Sequence, residues 1–338
     1  MIVVRCGNKV LESTKSKIGA FCHIDASNVI SVHNVSNIYH IPMMLVEQGV
    51  HTSIKRFFKL NHMYDEPEFG IWKELAINTD NVAKTPERTV NIAIVGKYTG
   101  LTDTYLSVIK ALNHAGIHND RNINIVWIDA TELENKSGNN ESLEKLRRVD
   151  GVVVPGGFGN RGVEGKIIAA NYCRANNKPF LGVCLGMQVM VIEYARNVMH
   201  ITDATSEEFV EENPNNVIIF MPEGSKDEMG GTMRLGSRET QIKKGSFASK
   251  IYKNKLSVQE RHRHRYEVSP DYIEKIEEHG MIFSGSDISG KRMEIVELDE
   301  QQHPFYFGTQ FHPEFKSKPH NPSPPFYTFI EAAIKQRF

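Results

Sequence analysis

From Asn91 onward, short apolar runs alternate with segments whose apolar residues recur every three or four positions. Residues 92–95 form an apolar run closed by Gly96, the pattern of a buried strand. Residues 104–114 place Tyr105, Val108, Ile109 and Leu112 on one helical face, with Gly116 just past the predicted end. The alternation continues with strands over 123–128, 151–154 and 180–183 and helices over 143–146, 165–174 and 188–196. Apolar strands separated by amphipathic helices predict an open, mostly parallel α/β sheet flanked by helices. Beyond Val217 the pattern turns strand-rich and loop-rich, ending in a helix over 326–334. The first part of the chain differs in texture. Short apolar segments at 2–4, 29–32 and 43–46 are divided by polar turns, and the stretch from 61 to 88 is polar, with Pro67 and Pro86. This predicts a partial α/β piece over 1–60, a linker over 61–90 and the main domain over 91–338. Ile71, Trp72 and Leu75 sit at helical spacing within the linker and would dock a short helix.

Composition narrows the function classes. Lys plus Arg total 40 against 41 for Asp plus Glu, so the basic excess of a nucleic-acid binder is missing. No apolar stretch approaches the roughly 20 residues that a membrane span needs. The first nine residues have neither a long apolar core nor a small-residue cleavage site, which predicts no signal peptide. Four cysteines in 338 residues do not make a disulfide framework, so a reducing, cytoplasmic setting is expected.

Three motifs carry candidate chemistry. In Phe180-Leu181-Gly182-Val183-Cys184-Leu185-Gly186-Met187-Gln188 an apolar strand meets a helix through Gly-x-Cys-x-Gly. This is the nucleophile-elbow pattern with sulfur for oxygen, and the helix amides would favour a thiolate. A structural cysteine beside a turn would share the local pattern. In Gln310-Phe311-His312-Pro313-Glu314-Phe315 the residue before proline is pushed toward extended geometry, so His312 and Glu314 can share one side of the chain. Glu314 would then orient the imidazole and leave its other nitrogen as a base. A surface turn would look the same in isolation. In Val152-Val153-Val154-Pro155-Gly156-Gly157-Phe158-Gly159 the glycines after a strand let backbone amides approach an oxyanion. The spacing is not that of a phosphate-binding loop, and a dinucleotide site is disfavoured.

Together these pieces resemble the class I, triad-type glutamine amidotransferases, from about Asn91 to the C-terminus. Within that class the sequence is most similar to the amidotransferase domain of the CTP synthases. The residues that carry the likeness are Val95-Gly96-Lys97-Tyr98, the 155–159 loop with Arg161-Gly162, the Cys184 elbow, Gly230-Gly231-Thr232-Met233-Arg234-Leu235-Gly236 and Arg261-His262-Arg263-His264-Arg265-Tyr266-Glu267-Val268. The resemblance implies Cys184, His312 and Glu314 as the triad acting on glutamine through a thioester. It also implies a glutamine site at Gly157, Leu185, Gly186, Met187, Gln188, Glu208 and Arg265, with the Gly157 and Leu185 amides holding the oxyanion. It implies no cofactor or metal for the glutaminase. The complete enzyme would use ATP and Mg²⁺ to aminate UTP to CTP and would be a homo-oligomer. A GTP-responsive lid is implied around 223–231.

The first 60 residues resemble the end of a CTP synthase synthetase domain, with Lys17 at a nucleotide-contact position and Asn34 where the family usually has Asp. The Gly-Lys pairs at Gly96, Gly165 and Gly290 continue into Tyr98, Ile167 and Arg292 and do not complete a phosphate-binding loop. The expectation is therefore an incomplete CTP synthase that retains the glutaminase. Two other readings stay open: a regulatory or filament-forming remnant, and a stand-alone cysteine hydrolase of γ-glutamyl substrates. In a strand, the alternation over 261–265 puts arginines on one face and His262 and His264 on the other, without partners at metal-ligand spacing. Cys6, Cys22 and Cys173 lack an elbow and are expected to be ordinary packed cysteines.

Overall fold

The computed structural model of the chain describes residues 1–60, 68–97, 102–135, 140–221 and 233–337. They form two compact units, 1–87 and 88–338. Tyr98, Gly230, Gly231, Thr232 and the expected lid at 223–231 lie outside the described residues.

In the first unit, β1 (Ile2–Arg5) pairs in parallel with β2 (Val29–Val32) through the crossover helix α1 (Glu12–Cys22). Then come α2 (Ile41–Glu47), α3 (Val50–Phe57) and α4 (Gly70–Ala83). Most of the described part of the stretch expected as a linker is α4. It turns Leu75, Ala76 and Val82 inward and sets Trp72 beside Tyr39, whereas Ile71 is exposed. Asp80 secures it by accepting from Ser36 Oγ, Asn37 Nδ2 and His40 Nε2 at 3.0, 2.8 and 2.8 Å. Lys17 is exposed on α1, and Asn34 accepts from Arg5 Nη2 at 2.6 Å.

The second unit opens with β3 (Thr89–Gly96), α5 (Leu106–His118), β4 (Asn122–Asp129), α6 (Ala130–Leu133) and α7 (Glu141–Arg148). It continues through β5 (Gly151–Val154), α8 (Val163–Ala175), β6 (Phe180–Val183) and α9 (Leu185–Asn197). Next come β7 (Thr205–Ser206), β8 (Asn216–Phe220), β9 (Arg234–Ile242), α10 (Phe247–Ile251), β10 (Ser257–His264) and β11 (Tyr266–Val268). The chain closes with α11 (Pro270–Glu278), β12 (Ile282–Asp287), β13 (Met293–Glu297), β14 (Tyr306–Thr309) and α12 (Pro324–Arg337).

One sheet runs β10-β9-β12-β13-β14-β6-β5-β3-β4. The stretch from β14 to β4 is parallel, as predicted, but β10 to β13 join it antiparallel. The sheet is therefore mixed rather than mostly parallel. Parallel neighbours need a long crossover, and between β8 and β14 the helices are few and short, which suits antiparallel returns. Strand periodicity divides the core between the two faces. Ala93, Val95, Val152 and Val154 pack with residues of α8 and α9, while Ile92, Ile94, Val153 and Leu181 pack with residues of α5 and α12. Gly116 does not end α5 but lies inside it. A Cβ there would sit 2.6 Å from Ile123 Cγ1 and 2.8 Å from the Arg121 carbonyl oxygen, so the glycine serves close packing against the following turn.

Candidate active site

Register alone brings the three motifs together. Thr309 of β14 lies opposite Val183 of β6, and Gly182 of β6 lies opposite Val154 of β5. The chains leaving these three parallel neighbours emerge at the same end of the sheet, where open α/β sheets place their ligands. They carry Gln310 to Glu314, Cys184 and the Pro155-Gly156-Gly157 loop.

Cys184 caps α9 with φ +55° and ψ −104°, an unfavourable backbone that costs about 1–3 kcal/mol. The flanking glycines make that turn sterically feasible. A Cβ at Gly186 would lie 2.1 Å from the Val154 carbonyl oxygen, and one at Gly182 would lie 2.6 Å from the Gly186 carbonyl carbon. The Cys184 amide donates to the Thr309 carbonyl at 2.6 Å, fixing the elbow to β14. His312 has φ −109° and ψ +85°, short of full extension but clear of the helical region that the following proline disfavours. Its amide is held by the Arg261 carbonyl at 2.8 Å, and its Nδ1 meets Glu314 Oε1 at 2.8 Å. Gly156 separates His312 from Cys184 so tightly that a Cβ there would lie 2.8 Å from His312 Cε1 and 3.3 Å from Cys184 Cβ. Burial pulls the His312 pKa down. The charge and hydrogen bond of the Cys184 sulfur, then those of Glu314, overcome this and raise it to about 10. Such a set can hold the sulfur as a thiolate beside an imidazolium and attack an acyl carbon.

A cavity of about 410 Å³ opens over the sulfur, lined among others by Gly156, Gly157, Phe158, Lys97, Lys166 and His312. Glu208 accepts from the Gly159 amide at 2.7 Å. Burial raises its pKa against the pull of that amide and of Lys97, Lys166 and Arg265. The Arg265 guanidinium lies 5.6 Å from the centre of the Phe158 ring. Glu208 and Arg265 thus bring opposite charges to the glycine loop, a pairing suited to a ligand with one ammonium and one carboxylate.

The residues after Cys184 divide by what they can offer. Leu185 and Met187 turn their side chains into the core. The Met187 and Gln188 amides close on the Cys184 carbonyl at 3.1 and 3.2 Å, which leaves the Leu185 and Gly186 amides at the open helix end. The Met187 amide is thus spent within the helix. Gln188 is buried, and its Nε2 donates inward to the Tyr266 carbonyl and to Gln310 Oε1. Lys17 belongs to the first unit and its role is not touched by this geometry.

Lys166 was not anticipated. It is almost wholly buried in the cavity wall, where burial and Lys97 push its ammonium down to about 8 against the pull of Glu208. Its one sequence signal is a lysine on the apolar stripe Val163, Lys166, Ala170, Cys173. His262 and His264 do face away from the arginines. Both are buried, and no cluster of three metal-ligand side chains occurs among the described residues. No helix among them is long and apolar enough to cross a membrane.

Residues 100–332 match the family model for glutamine amidotransferase class-I, and residues 1–60 that for the CTP synthase N-terminus. CTP synthase of Dictyostelium discoideum is 47% identical over 98% of this chain and 61% of its own length. That of Archaeoglobus fulgidus is 47% identical over 100% and 60%. The chain spans about 60% of the length of these curated relatives. A solved glutaminase domain of Trypanosoma brucei CTPS with bound acivicin superposes with a TM-score of 0.68 at 43% identity, covering 73% of this chain and 94% of that domain. With the class I model covering more than half of the chain and a CTPS glutaminase domain matched over 94% of its length, the chain belongs to the CTP synthase family of class I glutamine amidotransferases.

Proposed function

We propose that this chain hydrolyses glutamine at Cys184 and supplies the ammonia with which a complete CTP synthase aminates UTP to CTP. The observation that carries the reading is the elbow cysteine at a helix N-terminus, facing a histidine already oriented by Glu314. The Cys184 thiolate attacks the carboxamide carbon, and the developing oxyanion is met by the Gly157 and Leu185 amides. His312 gives its proton to the leaving nitrogen, so ammonia departs and a glutamyl thioester remains. Water, deprotonated by His312, then adds to the thioester carbon and releases glutamate and the thiolate. Glu208 pairs with the substrate ammonium and Arg265 with its carboxylate.

In this reading ATP, UTP and Mg²⁺ serve the amination, GTP acts as regulator, and the complete enzyme is a cytoplasmic homo-oligomer to which Lys17 adds a nucleotide contact. The test is ammonia release from glutamine by the purified chain, together with acivicin, the compound bound by the Trypanosoma brucei domain. Cys184→Ala should abolish turnover, and acivicin should label Cys184 while sparing Cys6, Cys22 and Cys173. Labelling of another cysteine with Cys184 untouched would sink the assignment.

A further inference from the structure

We propose that Gln310 is a further catalytic residue whose side-chain amide donates a hydrogen bond to the Cys184 sulfur and holds it as the thiolate. Gln310 is fully buried, and its Nε2 lies 3.6 Å from Cys184 Sγ. An amide could equally turn its carbonyl oxygen to the sulfur, which would oppose a negative charge there. The neighbours decide the orientation. The Tyr266 carbonyl can only accept, so Gln188 must present its NH₂ group to it, at 3.1 Å. The second hydrogen of that NH₂ goes to Gln310 at 3.1 Å, so Gln310 must offer Oε1 to Gln188. What remains for the sulfur is the Gln310 NH₂. A backbone carbonyl thereby sets the polarity of the whole chain, from Tyr266 through Gln188 and Gln310 to Cys184. Gln188 and Tyr266 are positioning groups.

The same end of the sheet makes the placement firm. Gln310 follows the last residue of β14, and its own amide is tied to the Glu294 carbonyl of β13 at 2.9 Å. The other groups facing the sulfur are the imidazole of His312 with Glu314 behind it, and the Arg263 carbonyl at 3.8 Å. The open amides of α9, the side chains of Lys97, Lys166 and Arg263 along the cavity wall, and Glu208 opposite Lys166 complete the set. The Arg263 carbonyl suits a thiol hydrogen and not a thiolate. A donating partner is what tips the balance, and a buried donor does so without competition from water.

The inference rests on Cys184 being the nucleophile, and the experiment separates the two. The rate of Cys184 alkylation by iodoacetamide is followed against pH by peptide mass spectrometry, alongside kcat and KM for glutamine. Gln310→Leu keeps the bulk and removes the donor. Its alkylation profile should move up by about one pH unit, about tenfold slower on the acid side, with the same alkaline plateau. Its kcat should fall with KM little changed. Gln310→Glu should move the profile further, since a carboxylate then faces the sulfur. Gln188→Met frees the lock and should move it in the same direction by less, and it decides the matter if the Gln310 variants do not fold. Profiles that coincide with wild type in folded variants, while wild type releases ammonia, overturn the role of Gln310. A profile that shifts while wild type releases no ammonia upholds the hydrogen bond and overturns the functional reading instead.

Discussion

His312 shows how a single side chain is given two tasks by its surroundings. Burial alone would strip its proton, and the Cys184 sulfur followed by Glu314 favours the protonated ring. In the proposed mechanism a proton held on the ring goes directly to the leaving nitrogen, so the histidine rather than the carboxylate should carry the larger share of the rate. His312→Ala should lower kcat by roughly 10²- to 10⁴-fold. Glu314→Ala should cost less, because the ring keeps its reach to the sulfur and loses only its orienting bond. Comparing kcat of the two variants at pH 7.5 checks this, and wild-type activity in His312→Ala would refute the triad. At this scale the sequence was readable wherever the chemistry is local. Cys184 is bracketed by its own glycines, and His312 and Glu314 share one proline. Gln310 and Lys166 were not singled out, because each matters through residues far along the chain: Cys184 and Gln188 for one, Lys97 and Glu208 for the other.

At the scale of elements, the site is a property of strand ends. β5 and β6 were legible residue for residue, since both are buried on two faces and end at Pro155 or at the elbow, where the apolar run has to stop. Gly116 misled because a glycine required by close packing has the same letter as one that ends a helix. The helix α4 lay in a polar stretch because it buries a narrow stripe and hangs its end on Asp80, a hydrogen-bonding role that hydropathy does not register. The elbow itself offers a steric test. A Cβ at Gly182 would meet Gly186 at 2.6 Å and Met190 Sδ at 2.8 Å, with backbone as one of the two obstacles. Gly182→Ala should therefore destabilise the fold by about 1–3 kcal/mol and depress glutaminase activity by displacing Cys184. Gly70→Ala, with open space around it at the start of α4, should be neutral or slightly stabilising. Urea midpoints for the pair measure this, and equal midpoints would show that the elbow yields without strain.

Across the whole molecule, the sequence revealed the parallel half of the sheet and left the antiparallel half indistinct. The reason is that β9, β10 and β13 carry charged and polar residues that satisfy one another within the sheet. Glu294 receives Arg234 Nη2 and Thr240 Oγ1, both at 2.6 Å, and His262 Nδ1 meets His264 Nε2 at 3.2 Å. Hydropathy reads such strands as surface. The same burial sets how stability responds to acid. Burial, with neighbouring positive groups, lowers His114 to about 4 and His262 to about 2; it also lowers His264, to about 3, with the Tyr266 carbonyl opposing. The unfolded chain takes up those protons near 6.5, so each imidazole contributes stability above that pH that is lost as pH falls toward its folded value. Glu260 and Glu267, raised to about 7 chiefly by burial, act in the opposite sense. They contribute stability below about 4.5 that is lost as pH rises toward 7. Glu208, Glu294 and Glu297 are shifted in the same direction as these two. Between pH 4.5 and 6.5 the two sets oppose and the stability curve should be shallow. Below 4.5 the glutamates are protonated in both states and stop responding, while the imidazoles continue, each by up to about 1.4 kcal/mol per pH unit. Urea midpoints taken from pH 7 to 3 should therefore hold nearly level and then fall steeply below about 4.5. Replacing His262 and His264 together by Asn should lessen that acid limb relative to the level region, since the two imidazoles with the lowest folded values among those named are gone. An acid limb of the same steepness in the double variant would place the sensitivity elsewhere and refute the role of the buried histidine pair.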